Sequence, residues 1–270
     1  MLKELLNSKT LIYELAARDI KLKYRKPYLG FLWMLIMPFS TALVYKVLFS
    51  DFMRMASEPY PFFVHLLTAL LPWAYFCSAV QASSQSILGS RNIINQITFP
   101  KYILPLSTVV ANLINFLPTL LVLFGFLIAF RVKIGLSVFI LPAVILIQTG
   151  MIIGLSLLVS SLQVVYRDVE YALQVVLMVL FFLTPGVYTL DDVSRAASPL
   201  FMKIYMLNPL VGVLNLYRIA FIGDYAKNMP GTINLLNTLL IPLLFSLLLL
   251  LAGYFVFNKY EKKFYYYLNA

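Results

Sequence analysis

The 270-residue chain is 61% hydrophobic and only 12% charged, with a mean hydropathy of +0.88. Soluble domains are about 45–50% apolar and about 25% charged, so this composition excludes an ordinary soluble protein and indicates a polytopic membrane protein. The net charge of +10 does not indicate nucleic acid as a partner, because no basic groove with interleaved aromatic residues is present. Instead, 13 of the 21 Lys and Arg fall in segments that we assign to the cytoplasm.

Residues 8–26 are predicted to form a helix that lies along the membrane surface. On a 3.6-residue period, one side carries Tyr13, Ala16, Ala17, Ile20 and Tyr24, and the other carries Glu14, Arg18, Lys21 and Arg25. The positive charges Arg18, Lys21, Lys23, Arg25 and Lys26 stop at Pro27, where an apolar stretch begins. Because Lys and Arg collect on the cytoplasmic side, we expect this junction to be cytoplasmic and the first span to run outward.

Hydropathy predicts six transmembrane helices, at about residues 29–49, 61–84, 104–130, 135–162, 171–187 and 233–257. Between the fifth and sixth, Leu200–Met206 and Leu210–Ile222 are apolar but are divided by Asn208 and Pro209, and each is too short to cross. We expect them to be re-entrant or interfacial half-helices on the outer side. Six crossings that start from a cytoplasmic N-terminus leave the C-terminus in the cytoplasm as well. The predicted fold is an all-α membrane protein with residues 1–28 as a cytoplasmic interface helix and 29–270 as the transmembrane domain.

The first cytoplasmic loop contains residues 92–98, enough for about two helical turns before Pro100 removes a backbone donor. With Pro105, this pattern predicts either a stiff short helix or an ordinary loop, and physics alone leaves both open.

The fourth span carries small residues at Gly150, Gly154, Ser156, Ser160 and Ser161. Such a face predicts close approach of another helix, from this chain or from a second copy.

No motif for catalysis or for nucleotide binding is visible. The chain lacks a phosphate-binding loop, a zinc-protease motif and a nucleophile elbow, and Cys77 is its single cysteine. His65 stands without a second metal ligand nearby in sequence. The pair Asp191 and Asp192 is more typical of a solvated loop edge or a helix cap than of a catalytic dyad. The span centres lack ionisable residues, which ion-coupled carriers usually need, so we expect the energy to come from outside this chain.

Several segments resemble the membrane subunit of polysaccharide-exporting ABC transporters, the ABC-2 type permease family that moves lipid-linked O-antigen, capsular polysaccharide or teichoic acid. They are, in order, ELAARDIKLKYRKPYLGFLWMLIMP, FPKYILPLS, YRDVEY, TPGVYTL and LNPLVGVLNLYR. Two positions depart from the family pattern: Lys101 replaces the usual Arg after Phe-Pro, and Gly186 replaces a branched residue after Thr-Pro.

The resemblance implies a homodimer in the cytoplasmic (inner) membrane of a bacterium, bound to two separate ATPase subunits that use ATP and Mg²⁺. This chain itself would hold no cofactor or metal and would not be an enzyme. The family's ATPase-coupling helix maps to Arg91, Asn92, Asn95, Gln96, Phe99, Pro100 and Lys101. Its cytoplasmic gate maps to the N-terminal helix, whose cations Arg18, Lys21, Lys23, Arg25 and Lys26 would either attract a lipid-linked pyrophosphate or anchor the helix to membrane lipids.

Aromatic rings let a sugar polymer slide, and the candidates for such a path are Tyr45, Trp73, Tyr75, Phe76, Phe181, Phe182 and Tyr188. Aromatic belts at the two interfaces are the other explanation of these residues. Three alternative functions are an ABC-2 type exporter of a small molecule or drug, a membrane enzyme acting on lipid-linked sugars, and an ATP-independent channel. The sequence does not identify the glycan.

Overall fold

The computed structural model describes residues 9–24, 28–53, 61–96, 99–196, 198–228 and 235–269. Every regular element in these ranges is helical, as the composition predicted. The expectations for Arg25, Lys26 and most of the outer link between the first two spans concern positions outside these ranges.

Twelve α-helices are defined within the described ranges. In chain order they are α1 (Lys9–Tyr24), α2 (Trp33–Tyr45), α3 (Phe62–Ser84), α4 (Arg91–Gln96), α5 (Ile103–Ala129), α6 (Leu141–Val165), α7 (Val169–Phe182), α8 (Leu190–Ala196), α9 (Pro199–Met206), α10 (Pro209–Phe221), α11 (Leu235–Glu261) and α12 (Phe264–Asn269). Short 3₁₀ turns precede α2 and α6, and a π-helical segment, Lys46–Phe52, follows α2.

Four of these helices are long and apolar enough to cross a membrane: α3, α5, α6 with its preceding turn, and α11. The bent pair α9 and α10 would make a fifth span if it crosses. The predicted first and fifth spans correspond to shorter apolar helices, Trp33–Phe49 and Val169–Phe182. The second of these ends five residues before the predicted limit at residue 187, and Thr184, Pro185 and Gly186 follow it outside any helix.

The small-residue face of α6 packs against α11 of the same chain. A Cβ atom built on Gly253 of α11 would overlap the carbonyl oxygen of Gly154, and one on Gly150 would overlap the hydroxyl of Ser246. Backbone therefore meets backbone at this crossing, as small residues allow in membrane helices. The sequence left open whether the partner of Gly150 and Gly154 lies in this chain or in a second copy, and the structure places a helix of the same chain there.

Helices α9 and α10 meet at an angle of 80° across the Asn208–Pro209 break. The Asn208 side chain accepts a hydrogen bond from the Leu210 amide at 3.0 Å, and Pro209 occupies the first helical turn, where its missing amide is not needed. Every residue of α10 from Leu210 to Phe221 is buried, mainly against α3, α6 and α11. Helix α10 is therefore packed inside the protein, unlike an interfacial helix, which keeps one face outside.

Two ends of the molecule can be distinguished by their contacts. At the proximal end, a hydrophobic cluster joins Leu15 of α1, Ile94 of α4, Phe257 of α11 and Phe264 of α12. At the distal end, the Gly223 amide after α10 donates a hydrogen bond to the Lys133 carbonyl at 2.7 Å. The N-terminal, short and C-terminal helices thus lie together, away from the turn that joins α5 to α6.

Candidate functional site

Helix α1 packs along α5 through its small and aliphatic residues. Ala16 and Ile20 contact Ala111 of α5, while Lys21 and Lys23 are exposed and Arg18 is half-buried. Ala16 and Ile20, from the side predicted to be apolar, are buried, whereas Tyr13 from the same side is 64% exposed and Leu15 from outside it is buried. The Arg18 guanidinium pairs with Asp19 at 2.9 Å.

A polar cavity of about 500 Å³ lies between α1, the proximal end of α3 and the first half of α5. Its α1 wall includes Arg18, Asp19 and Lys23, and its other walls include hydroxyl and amide side chains between Gln85 and Ser90 and between Ser107 and Asn115. Two of the predicted gate cations therefore border a cavity. Lys21 does not line it, and Arg25 and Lys26 fall outside the described residues.

An aromatic cavity of about 410 Å³ continues between α2, α3 and α5. It shares Lys23, Asn112 and Asn115 with the polar cavity, and four predicted path residues line it: Tyr45, Trp73, Tyr75 and Phe181. Tyr24 also lines it, and burial raises the pKa of its hydroxyl, which favours the neutral form. Tyr75 stacks on Phe116 with ring centroids 4.7 Å apart and holds Thr149 of α6 by a 3.1 Å hydrogen bond.

The other three predicted path residues lie elsewhere. Phe76 is buried beside Trp73 in the main hydrophobic cluster, and Phe182 is 67% exposed on the surface of α7. The Tyr188 hydroxyl contacts the Tyr205 hydroxyl at 3.0 Å and donates to the Phe182 carbonyl at 2.9 Å, so Tyr188 connects the end of α7 to α9. None of these three lines either of the two cavities.

The walls of both cavities also include a polar stripe that the sequence reasoning missed. We define the α5 stripe as Thr108, Asn112, Asn115 and Thr119, which recur at intervals of four, three and four residues and so share one helix face. Three of them direct a side-chain donor to their own helix backbone: Thr108 to Leu104, Asn112 to Thr108 and Thr119 to Phe116. The spacing of these four polar residues within a predicted span is the sequence signal from which the stripe could have been predicted.

Of the two alternatives for the segment before Pro100, a short helix is present: it is α4, which ends at Gln96. Ile94 anchors it in the proximal cluster, while Arg91, Asn92, Asn95 and Gln96 are exposed. Phe99 and Pro100 follow outside any helix. Lys101 is fixed by its backbone amide, which donates to Glu261 at 3.1 Å, and its ammonium lies 6.0 Å from the centre of the Phe264 ring. The predicted coupling segment therefore exposes polar side chains, while Ile94 holds it against the hydrophobic cluster at the proximal end.

A buried polar network at the distal side connects α10 to its neighbours. The Tyr217 hydroxyl donates to Gln148 of α6 at 2.6 Å, and Gln148 donates to the Pro72 carbonyl of α3 at 2.8 Å. The next residue, Arg218, is completely buried and donates to the carbonyls of Pro185 and Gly186. Asn208 donates to the Leu183 carbonyl at 3.1 Å. These bonds attach α10 to α3, to α6 and to the segment that follows α7.

Asp191 and Asp192 stabilise the start of α8. The Asp192 carboxylate accepts bonds from the Thr189 amide at 2.8 Å and from its hydroxyl at 2.6 Å, and Asp191 pairs with Arg195. The Asp192 amide in turn donates to the Thr189 hydroxyl at 3.1 Å, and this reciprocal pattern is a capping box. A helix cap was one of the two alternatives that the sequence left for this pair. His65 is 98% buried between the rings of Phe62 and Tyr225. Among the described residues, no group of three or more His, Cys, Asp or Glu could hold a metal ion.

The long apolar helices, the close glycine packing and the internal cavities define a polytopic α-helical membrane protein with an internal cleft. Residues 10–222 match the family described as ABC-2 type transporter. The chain belongs to that family, which supplies the membrane subunits of ABC transporters and implies a partner ATPase subunit.

Two relatives of this chain are named as permease proteins of O-antigen export systems. The chain is 30% identical, over 98% of its length and 97% of the relative, to the O-antigen export system permease protein RfbA of Myxococcus xanthus. It is 29% identical to a protein of the same name from Klebsiella pneumoniae, over 94% of this chain and 93% of the relative. The similarity covers the residues that line both cavities and the helices α4 and α10.

Proposed function

We propose that this chain is the permease subunit of an ATP-driven exporter that moves a lipid-linked polysaccharide outward across the cytoplasmic membrane of a bacterium. The observation that carries the proposal is similarity to O-antigen export permeases over nearly the whole chain. The two adjoining cavities support it, because they combine cations, hydroxyl and amide groups and aromatic rings, which suit a phosphate-linked sugar.

The functional complex in this proposal contains two copies of the chain, two ATPase subunits and the surrounding lipids. ATP and Mg²⁺ bind to the ATPase subunits, and the free energy of nucleotide binding and hydrolysis reaches the permease at the exposed side of α4. The geometry suits that role, because a rigid polar helix whose inner side is anchored among α1, α11 and α12 can transmit a push to all three.

Six spans and an α9–α10 re-entrant pair form the proposed layout. With α2 and α7 as short spans, the proximal end is cytoplasmic and carries both termini. Residues 1–28 then form a cytoplasmic gate and interface segment, and 29–270 form the transmembrane domain. The bend at Asn208 and Pro209 supports a re-entrant pair, since the two helices turn sharply and do not continue in one direction. The α9–α10 pair would close the outer mouth when no polymer is present.

Inverted membrane vesicles provide the direct test. Vesicles that contain this chain and its ATPase partner should move a lipid-linked polysaccharide into the lumen with ATP, and should not do so with ADP or without the ATPase. Transport without nucleotide would overturn the proposed energy source. Transport of a drug but not of the glycan would favour the small-molecule exporter.

A further inference from the structure

Glu261, the last residue of α11, contacts the end of the predicted coupling segment. Its carboxylate accepts a hydrogen bond from the Lys101 backbone amide at 3.1 Å, although the two residues are 160 positions apart in the chain. Lys101 lies directly before Tyr102, the N-cap of α5, where the helix dipole favours a carboxylate. One side chain therefore joins the ends of two long helices, α5 and α11.

Phe264, the first residue of α12, makes a second contact with Lys101. Its ring is completely buried and meets the ring of Phe257 of α11 edge to face, with centroids 5.4 Å apart. The Lys101 ammonium lies 6.0 Å from the centre of the Phe264 ring, at the distance of a cation–π interaction. The chain turns directly from α11 into α12, since the Lys263 amide donates to the Tyr260 carbonyl at 2.9 Å. The backbone and the side chain of Lys101 are thus both held by the C-terminal residues.

The residues before α5 depend on such contacts for a fixed position. Residues 99–102 lie outside any helix, and Pro100 has no amide hydrogen to donate. A segment without helical hydrogen bonds moves independently of its neighbours unless other contacts hold it. Hydrogen bonds to an ionised group are about twice as strong as neutral ones, so the Glu261 carboxylate is well suited to hold this segment.

Helix α11 connects this contact to α6. About two helical turns before Glu261, a Cβ atom on Gly253 would overlap the Gly154 carbonyl oxygen, so the two backbones touch there. Helix α12 also packs against α6. Both α11 and α12 lie outside residues 10–222, so the family match assigns no role to the contact between Glu261 and Lys101.

We propose that Glu261, supported by Phe264, is a positioning residue that ties the coupling segment to α11, so that a displacement of α4 moves α5, α11 and α6 together. Without this tie, motion that the ATPase imposes on α4 bends the chain at residues 99–102 and is lost before it reaches the long helices. This inference rests on the proposed function and adds which contact carries the motion into the membrane.

A purely local role for Glu261 would be to stabilise the first turn of α5. That role would change the thermal stability of the protein, but it would leave the amount of glycan moved per ATP unchanged in variants that fold. The two roles therefore predict different results for the same substitutions.

Two conservative substitutions separate the hydrogen bond from the charge. Glu261→Gln keeps the side-chain length and an acceptor oxygen, whereas Glu261→Asp keeps the charge but is one methylene shorter and should not reach the Lys101 amide. In proteoliposomes that contain the permease and its ATPase partner, Glu261→Asp should lower the glycan moved per ATP hydrolysed by at least about threefold. Glu261→Gln should stay close to the unaltered chain, and Phe264→Leu should fall between the two. The matched control is Lys262→Gln, at the exposed neighbouring position.

Spin labels provide a measurement that does not depend on the cargo. Lys259→Cys, at an exposed position of α11, is labelled in a Cys77→Ser chain with a cysteine-free ATPase partner. Pulsed electron paramagnetic resonance then measures the distance between the labels of the two protomers, with ADP and with ATP plus vanadate. We expect the nucleotide to shift this distance, and we expect the shift to be about twofold smaller when Glu261→Asp is added.

Three results would overturn the positioning role. The first is normal transport per ATP with a normal distance shift in Glu261→Asp, whatever its melting temperature, and the proposed function would then stand. The second is a loss of coupling in Glu261→Gln but not in Glu261→Asp, which would assign the effect to charge. The third is a distance that does not respond to nucleotide in the unaltered chain. If the shift depends on Glu261 but the unaltered complex moves no glycan, the positioning role stands and the proposed function fails.

Discussion

Arg218 shows how a single charged side chain can organise the distal half of the molecule. It is completely buried, yet its guanidinium donates to the carbonyls of Pro185 and Gly186, which lie beyond the end of α7. Buried carbonyls outside a helix lack helical hydrogen-bond partners, and Arg carries several donors that can satisfy them. The residue therefore fixes the segment after α7 against α10.

We predict that Arg218→Ala destabilises the protein by on the order of 1–3 kcal/mol, because buried carbonyls lose charged donors. Arg218→Lys should recover only part of the loss, since an ammonium lacks the forked geometry of a guanidinium. Thermal unfolding of the detergent-purified protein measures both. The control is Arg195→Ala, whose pairing with Asp191 is exposed and should change stability by less than about 1 kcal/mol. Equal effects at the two positions would contradict this role.

Individual residues were only partly predictable from the sequence. The sequence left a solvated loop edge or a helix cap as alternatives for Asp191 and Asp192, and the bonds between Asp192 and Thr189 show the cap. The partners of Arg218 are not visible in the sequence, because the carbonyls it contacts are 32 and 33 residues away in the chain. Tyr75 and Phe182 are both aromatic residues in predicted spans, and only the packing shows that one lines a cavity and the other faces outward.

At the scale of elements, the α6–α11 crossing depends on residues without side chains. We predict that Gly253→Val destabilises the protein by at least about 1–3 kcal/mol, because the new side chain would overlap the Gly154 backbone. Gly125→Val on α5 is the matched control, since a Cβ there meets nothing within 4 Å. Thermal unfolding and the size-exclusion profile in detergent provide the comparison. A tolerated Gly253→Val would show that the two helices can separate without loss of structure.

Helix α4 gives a prediction about the partner. A chain with Cys77→Ser and a cysteine at Asn95, an exposed position of α4, should cross-link to the ATPase subunit with a short maleimide–succinimidyl ester reagent, which joins the cysteine to a lysine of the partner. The same reagent should give no such product with a cysteine at Asn237, which is also exposed but lies on α11. Cross-linking at Asn237 alone, detected by gel electrophoresis, would place the ATPase at the opposite end.

The sequence predicted which segments form helices better than it predicted where each helix ends or which helix it packs against. Strong apolar stretches gave α3, α5 and α11 nearly at their observed bounds, because hydrocarbon thickness sets the length of a spanning helix. The alternative of a loop at α4 stayed open, since a six-residue helix has little intrinsic stability and depends on the anchoring of Ile94. The partner of Gly154 is also a tertiary property, which spacing along one helix does not specify.

At the scale of the whole molecule, the layout predicts which positions are accessible from each side of the membrane. In the Cys77→Ser chain, cysteines at Lys133 and Lys203 should react with a membrane-impermeant maleimide in intact cells. Cysteines at Asn95 and Lys262 should react only after permeabilisation. Labelling of Lys203→Cys only from the cytoplasmic side would mean that the α9–α10 pair crosses the membrane, and the re-entrant arrangement would be wrong.

The sequence predicted the class of the whole molecule better than its interior. Charge distribution and apolar length predicted an all-helical membrane protein, and the grouping of α1, α4 and α12 at one end agrees with the expected parity. The cavities were not predictable as volumes, because they arise between α1, α2, α3 and α5, which are brought together by tertiary packing. Only their individual polar and aromatic wall positions left a signal in the sequence.

The backbone contact between α6 and α11 has a consequence for motion. Where Gly154 and Gly253 meet, backbone touches backbone with no side chain between them, so we expect α6 and α11 to move together at this crossing. Helix α7, by contrast, buries only Leu173 and Leu177, and α2 buries only Ala42. Any widening of the molecule during a turnover would therefore fall to α2 and α7, while the glycine-paired helices keep their relative positions throughout the cycle.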